Sequence, residues 1–435
     1  MTTEKKNRII ILATPLLIIL ISILVWKNIL DGYVLIYEML KLSFNDWHLF
    51  LKHLDKKFLD FLISNFFILV FILTSILFLF INFIRIPNPR WLKKLINLPQ
   101  KFVIGLCFLV FILFLSTTTP VLSPSNPMTQ KNVALTRLLP PFSKLNYFEL
   151  DLKFENKVEE TKSKIPFFDN LERRVYFTSY QIKNNNLLYT QKSISYSIEL
   201  SKTRHIENIP LIYQKVFILG TDEYGRDILS RILFGIRLSL FIGISSISLS
   251  FLIGALIGYS AAIFGNIVDK ILMRIVDLFL SIPILFFVIF LIAFLGNSIL
   301  LLIVVFGLSG WMYIARLARN ESLNCLKKEF IQIQFLIGQK KRKIILYHLL
   351  PNTILPIIVT MIFQLSNIII AESALSFLGL GVQPPTPTLG GMIKIGYDYM
   401  SSGWWIIIIS GSVLVYLIFT FNILGEGLKK LFKYQ

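Results

Sequence analysis

The chain alternates long apolar runs with short polar segments. A helix of about 20 apolar residues spans a bilayer. Runs near that length occur at about 9–26, 62–84, 102–120, 238–263, 277–295, 299–318, 354–372 and 404–424. The pattern therefore predicts an all-α polytopic membrane protein with eight spans. Pro283 and Pro356 are expected to interrupt the fifth and seventh spans, because proline breaks the helical hydrogen-bond ladder.

Two regions depart from the long apolar runs. Residues 27–61 place apolar side chains at helical spacing, which predicts a helix along the outer membrane surface. Residues 143–215 are polar and nearly charge-balanced, and two alternating runs joined at Asn184–Asn186 predict paired strands. We therefore expect a small external β-rich insert. It either contacts a soluble partner outside the membrane or serves only as a structural insertion.

A basic segment, Arg319–Pro351, separates the sixth and seventh runs and is too long for a simple turn. Lys328–Ile337 is predicted to form a short helix that Gly338 caps. A second helix is expected from about Lys341 to Leu350, ending before Pro351. The first helix has an apolar surface formed by Phe330, Ile331, Ile333 and Phe335. This segment, residues 328–350, is called the hook, and it suits either docking of a soluble partner or lying on lipid headgroups.

Composition agrees with a membrane protein, because 55% of the 435 residues are hydrophobic and 38 of them are Phe. The formal net charge of +19 does not indicate a nucleic-acid partner, since Lys and Arg cluster in the short segments that flank apolar runs. Such clusters precede the first run, fill residues 85–101, and follow the last run. By the positive-inside rule both termini are expected to be cytoplasmic, with an uncleaved first span.

Candidate chemistry is sparse in this sequence. It contains no G-x-x-x-x-G-K-[ST] phosphate loop, no H-E-x-x-H and no G-x-S-x-G, and its four His and two Cys residues are isolated. We therefore predict no catalytic, cofactor-binding or metal-binding residue. The charged cluster of Asp222, Glu223, Arg226 and Asp227 is interpreted as structural, since no nucleophile accompanies it. Glu372 is a candidate for a substrate path, beside the alternatives of an ion pair or a headgroup-level carboxylate.

Three ordered blocks carry a family resemblance. The first, FILGTDEYGRDILSRILFGIRLSL (217–240), includes a motif formed by Gly220, Thr221, Asp222, Gly225, Arg226 and Asp227. The second is the cytoplasmic loop that contains the hook, where the family's E-A-A-x-x-x-G and H-x-x-P-N patterns fall on Gln332, Ile333, Gln334, Gly338, His348, Pro351 and Asn352. The third is AESALSFLGLGVQPPTPTLGGM (371–392). Together they resemble the C-type permease subunit of dipeptide/oligopeptide (peptide/nickel) ABC importers, in the family of binding-protein-dependent transport inner-membrane components.

The resemblance implies the helical bundle of a type I ABC importer permease, which has six spans in the family. Residues 1–98 would then be an amino-terminal addition with two spans, to which the resemblance assigns no function. Residues 99–142 would hold the first core span and its external connector, and 143–215 the insert. The permease core, with five spans, would occupy 216–435 and contain the cytoplasmic ATPase-coupling loop 319–352.

The resemblance also implies a function. Such a subunit moves oligopeptides or dipeptides across the cytoplasmic membrane by alternating access, and it is not an enzyme, because ATP and Mg are bound by partner ATPase subunits. Its other partners are a second homologous permease subunit, an extracytoplasmic substrate-binding protein and the lipid bilayer. The alternatives are import of nickel or another small solute, and a polytopic membrane enzyme or anchoring protein. Gln332 replaces the family's Glu, so a more apolar ATPase groove is expected.

Overall fold

The structure is a computed structural model that describes residues 3–45, 51, 53–83, 98–130, 132–151, 157–168, 174–183, 186–206 and 209–433. The helices are α1 (Thr3–Leu24), α2 (Trp26–Asn45), α3 (Lys56–Phe83), α4 (Gln100–Thr117), α5 (Thr119–Leu122), α6 (Val133–Thr136), α7 (Lys157–Lys164), α8 (Ile228–Phe264), α9 (Asn266–Leu280), α10 (Ile284–Leu295), α11 (Ile299–Leu326), α12 (Glu329–Leu336), α13 (Lys341–Ile344), α14 (Leu350–Phe377), α15 (Leu389–Asp398) and α16 (Met400–Lys433).

The strands all lie between α6 and α8. They are β1 (Ser143–Glu149), β2 (Arg174–Phe177), β3 (Ser179–Lys183), β4 (Asn186–Gln191), β5 (Ile194–Glu199), β6 (His205–Ile206), β7 (Ile209–Pro210) and β8 (Ile212–Phe217). Most of the basic cluster at 85–101 and the predicted turn residues Asn184 and Asn185 lie outside the described residues.

Six of the described helices are long and apolar enough to cross a membrane: α3, α4, α8, α11, the continuous helix Lys341–Phe377, and α16. A seventh candidate is the pair of α1 and α2, which is bent by 69°. The bend turns α2 out of the line of α1. The surface helix predicted over 27–61 is wrong in its bounds, because α2 ends at Asn45 and residues from Lys56 onward belong to α3.

The parallel helices α8 and α11 form the centre of the bundle. Glycines bring their backbones together: an added Cβ on Gly254 would lie 2.6 Å from the Trp311 carbonyl oxygen, and one on Gly258 would lie 2.4 Å from that of Ala315. The second contact lies four residues after the first on both helices, so the two helices run in the same direction. The chain between them must therefore return along the bundle.

The return path is a broken pair of helices. The interruption expected at Pro283 in the fifth span is present, because α9 ends at Leu280 and α10 begins at Ile284, but the span bounds of 277–295 are wrong, since α9 begins at Asn266. Pro283 precedes α10 and cannot continue the ladder of α9, since it has no N–H. Pro356, by contrast, lies inside α14 without ending it. The described residues thus contain six helices long and apolar enough to span a membrane, with the bent pair α1–α2 at the first expected span and the broken pair α9–α10 at the fifth.

The insert folds into small antiparallel sheets, as predicted. β1 lies between β2 and β8, β3, β4 and β5 form a meander, and β6 pairs with β7. Cross-strand aromatic pairs hold the first sheet, because the ring of Tyr147 on β1 lies 5.6 Å from that of Tyr176 and 5.5 Å from that of Tyr213. Strands β3 and β4 flank the predicted turn.

The amino-terminal addition, the insert and the core share one hydrophobic cluster. Phe61 of α3 is fully buried, and its ring lies 6.2 Å from that of Phe167 in the insert. Phe167 in turn stacks on Phe234 of α8 at 5.8 Å. Beside this stack, Arg237 of α8 donates to both carboxylate oxygens of Asp60, with Nη1–Oδ2 at 2.7 Å. Three segments far apart in sequence are therefore fixed to each other.

Candidate functional site

The hook begins directly after α11 and keeps part of its apolar surface exposed. Phe330, Ile333 and Phe335 are exposed, as predicted. Ile331 is fully buried in the main core, so its predicted place on the exposed surface is wrong. The reason is that one face of α12 packs on the bundle. Ile344, in the second half of the hook, is also fully buried, so the hook is anchored at two points.

The exposed surface of the hook continues past the helix end. Leu336 is 85% exposed and Ile337 is 68% exposed. Large apolar side chains this exposed mark an interaction site when they lie together. The sequence interpretation overlooked both residues, although their position at the end of α12, directly before Gly338, was a usable signal.

Gly338 ends α12 in the way the sequence predicts. Its φ is +74°, a conformation that favours glycine. The Gly338 N–H donates to the Phe335 carbonyl at 3.0 Å, and the Gln339 N–H donates to that of Gln334 at 3.0 Å. These two bonds form a Schellman motif, which satisfies the last carbonyl groups of the helix. The direction of the chain after α12 is therefore fixed by backbone geometry.

The second half of the hook does not end at Pro351, and that prediction is wrong. α13, a π-helical turn at Ile345–Leu349 and α14 form one continuous helix. The wide turn places Pro351 in the first turn of α14, where no backbone N–H is required. The Asn352 side chain donates to the His348 carbonyl at 2.7 Å, which stabilises the same turn.

Polar contacts fix the hook and the part of α11 that precedes it. Lys341 Nζ lies 4.6 Å from the centre of the Phe264 ring, at the end of α8. Arg319, near the end of α11, forms an ion pair with Asp269 of α9, with Nη2–Oδ2 at 2.5 Å. Gln332, at the position of the family's Glu, donates from Nε2 to the Lys327 carbonyl at 3.4 Å. A carboxylate could not donate this bond.

The first family block clasps the connector to α8. Gly220 has φ +80°, and an added Cβ would lie 2.3 Å from the Leu139 carbonyl oxygen. Thr221 accepts from the Leu139 N–H at 2.9 Å and donates to the Thr136 carbonyl. Asp227 caps α8 by accepting from the Ser230 N–H at 2.9 Å. The side chains of Thr221 and Asp227 are thus both engaged in hydrogen bonds to backbone groups.

The charges of this block are buried and paired. Asp222 accepts from Arg226 Nε at 2.6 Å and lies 3.3 Å from Arg231 Nε. Gly225, with φ +71°, makes the tight turn between the two charges of the first pair. Burial raises the pKa of Glu223, and the neighbouring Asp222 carboxylate raises it further. The cluster forms a rigid clasp with no nucleophile in it.

Glu372 lies between helices rather than on an open surface. It is buried, and it accepts from Ser239 Oγ of α8 at 3.1 Å and from Ser376 Oγ of its own helix at 2.9 Å. Both carboxylate oxygens therefore have hydroxyl partners. A cavity between α10, α11 and α14 begins one residue away, at Ala371. Its polar lining includes Gln364 and Asn367, which sequence reasoning missed although they lie one turn apart in an apolar run.

Comparison with known proteins assigns the family. Residues 251–432 match the family described as binding-protein-dependent transport system inner membrane component. The chain is similar to the di/tripeptide transport system permease protein DppC of Pseudomonas aeruginosa (strain UCBPP-PA14), at 35% identity over 216 residues that cover 50% of this chain and 71% of that protein. This chain belongs to the family. It is a multi-pass permease subunit of an ABC importer of the inner membrane.

A second sequence relative agrees with this permease assignment. The chain is 35% identical over 210 residues to the oligopeptide transport system permease protein OppC of Haemophilus influenzae (strain ATCC 51907 / DSM 11121 / KW20 / Rd), covering 48% of this chain and 68% of that protein. A structural comparison finds the inward-facing MetNI methionine ABC transporter, with 20% identity and a TM-score of 0.37, covering 46% of this chain and 93% of that one. The family match contains the hook, Glu372 and the cavity.

Proposed function

We propose that this permease subunit imports dipeptides or oligopeptides by alternating access. The sequence relatives named for di/tripeptide and oligopeptide transport support this substrate class. The observation that carries the mechanism is the hook, which is anchored by Ile331 and Ile344 and exposes Ile333. Such a surface suits docking of a separate ATPase, whose closure moves the hook. Because the second half of the hook forms one helix with α14 and its first half follows α11 after two residues, movement of the hook would shift the helices that border the cavity.

The proposed complex contains several other proteins. ATP and Mg bind to two ATPase subunits, and this chain itself is a transport subunit and not an enzyme. A second, homologous permease subunit completes the passage, and an extracytoplasmic binding protein delivers the substrate. Both termini and the hook are cytoplasmic, and the insert lies outside. Residues 1–98 and 143–215 are accessory regions, 99–142 and 216–435 form the transport core, and 319–352 couples it to the ATPase.

The function is tested on the complete complex in proteoliposomes. The wild-type complex should import a labelled peptide and hydrolyse ATP faster when binding protein and peptide are present. Ile333→Asp should uncouple ATP hydrolysis from peptide uptake and lower uptake more than tenfold. The reason is that a charged side chain replaces an apolar one whose burial against the ATPase would contribute about 1.5–3 kcal/mol. Ile209→Asp is the matched control, since Ile209 is 64% exposed but lies on the insert.

Normal stimulation and uptake in the Ile333→Asp complex would place the ATPase contact elsewhere. Failure of the wild-type complex to take up any di- or oligopeptide would refute the substrate class. Correct insertion of both variants is checked by their yield and thermal unfolding in detergent.

A further inference from the structure

The cavity between α10, α11 and α14 combines apolar walls with a neutral polar lining. Val288 and Phe306 contribute to the walls, and the polar groups are Ser309 and Tyr313 of α11 with Gln364 and Asn367 of α14. Its volume is about 70 Å³. For comparison, a cavity of about 150 Å³ accepts a benzene molecule. The space therefore suits one peptide group rather than a whole peptide.

Gln364 has an unused acceptor at this site. Its Nε2 donates to the Gly310 carbonyl at 3.3 Å. Its Oε1 is buried, and within the described parts of the chain no group donates a hydrogen bond to it. A buried oxygen without a donor is costly at bilayer depth, so the site favours a ligand that brings an N–H or O–H group. Gln364 is itself one of the residues that line the cavity, so a ligand bound there would lie beside this amide.

The polar side chains beside Gln364 do not suit a lipid-facing surface. Asn367 is exposed in the middle of the apolar helix α14, and Tyr313 is 53% exposed on α11. Polar side chains at membrane depth face a protein neighbour or a water-filled passage, because lipid tails offer them no hydrogen bond. The open side of the cavity therefore suits contact with a neighbouring subunit or with the passage that two permease subunits would enclose.

The chemistry of the lining distinguishes between substrates. Among the described residues that line the cavity, none is Asp, Glu, His, Cys, Lys or Arg. A carboxamide both donates and accepts hydrogen bonds, as a peptide group does. A nickel ion would require imidazole, thiolate or carboxylate ligands. The lining thus matches a neutral peptide backbone and not a bare metal cation.

We propose that this cavity is a backbone-binding site on the translocation path, where Gln364 Oε1 accepts a hydrogen bond from a peptide N–H of the passing substrate. Asn367 and Tyr313 contact the adjacent polar groups of the same peptide. The apolar walls exclude water from the bond and accept small side chains. This proposal rests on the proposed function and adds to it the part of the substrate that is recognised inside the membrane.

The test uses the complete complex in proteoliposomes with labelled trialanine and with trialanine methylated on its backbone nitrogens. Gln364→Leu should lower trialanine uptake about five- to tenfold, the effect of one lost hydrogen bond. Asn367→Leu should also lower it, and this exposed position is not needed for folding. Ser366→Ala is the control, because Ser366 is buried on the same helix outside the cavity. Peptide uptake and ATP hydrolysis by the Ser366→Ala complex should both equal those of the wild type.

The methylated peptide separates recognition from a general structural effect. The wild-type complex should prefer trialanine over the methylated form, after correction for the affinity of the binding protein, and Gln364→Leu should reduce that preference. An unchanged preference, or wild-type uptake in both leucine variants, would overturn the backbone-binding site while leaving the proposed function intact. Absence of peptide uptake by the wild-type complex would instead refute the proposed function.

Discussion

At the scale of single residues, Gly338 shows how one backbone angle defines the hook. No atom lies within 4 Å of a Cβ added at Gly338, so a side chain there would meet no steric clash with neighbouring residues. The free-energy penalty of a substitution comes from the backbone φ of +74°. We predict that Gly338→Ala strains the cap by about 1–2 kcal/mol and weakens peptide-stimulated ATP hydrolysis. Gly411→Ala is the control, because Gly411 also has open space but lies within helix α16. Alanine there should be neutral or slightly stabilising. Equal effects of the two substitutions would contradict this role of the angle.

The charged clasp yields a prediction on pH. A carboxyl group whose pKa is raised in the folded state stabilises the fold below its ordinary pKa, and this contribution is lost as the pH rises through the folded value. The pKa of Glu223 is raised by burial. We therefore expect Glu223→Gln to raise the unfolding temperature of the detergent-solubilised protein at pH 7 by a few degrees. The difference from wild type should disappear towards about pH 4.

The same cluster provides an internal contrast. Asp222 is paired with the buried Arg226 and Arg231. Asp222→Asn should destabilise the protein at neutral pH by about 3–5 kcal/mol, because it removes the carboxylate that pairs with two buried guanidinium groups and leaves, among the described residues, only Glu223, at 3.6 Å from Arg226, beside them. The measurement is thermal unfolding of Asp222→Asn beside Glu223→Gln. A higher unfolding temperature for Asp222→Asn than for Glu223→Gln at neutral pH would contradict this account.

At the scale of elements, the stack of Phe61, Phe167 and Phe234 indicates that the addition and the insert form one unit with α8. Phe61→Ala should cost about 3–5 kcal/mol locally and make the insert more sensitive to limited proteolysis, since it opens a gap beneath Phe167. Phe66→Ala is the control on the same helix, because Phe66 is 60% exposed whereas Phe61 is fully buried. Matching digestion patterns for these variants would show that the insert folds independently of α3.

The accuracy of the sequence predictions also differs between elements. The apolar runs, the β-rich insert and the Gly338 cap were predictable, because each follows from local periodicity or from one conformational preference. The burial of Ile331 and the continuation through Pro351 were not. The burial of Ile331 depends on which face of α12 packs against the bundle. The continuation of the helix through Pro351 depends on a π-helical turn that shifts the backbone hydrogen-bond pattern before the proline. The cavity was missed because its polar groups come from two helices that are far apart in sequence.

At the scale of the whole molecule, the return of α9 and α10 determines the topology. With one crossing assigned to this broken pair and one to the bent pair α1–α2, both termini lie on the side of the hook. We predict that single cysteines at Lys6, Lys341 and Lys433 are labelled only from the cytoplasm, and those at Ser193 and Thr388 only from outside. The labelling is done in a Cys107→Ser, Cys325→Ser background. Finding Ser193 on the same side as Lys341 would contradict the topology.

The close contact of α8 with α11 determines how the bundle can deform. The carbonyl oxygens of Trp311 and Ala315 on α11 occupy the space where Gly254 and Gly258 of α8 would carry a Cβ atom. If either helix slid along the other, these oxygens would meet residues that do carry a Cβ atom and would clash with them. Shear between them is therefore blocked, and the pair moves as one rigid body. The remaining freedom is a hinge, and the break before Pro283 is the interruption that offers one between α9 and α10. Movement of the hook would then displace α8 and α11 together, and the break before Pro283 would let α10 change its angle to that pair as the passage opens and closes.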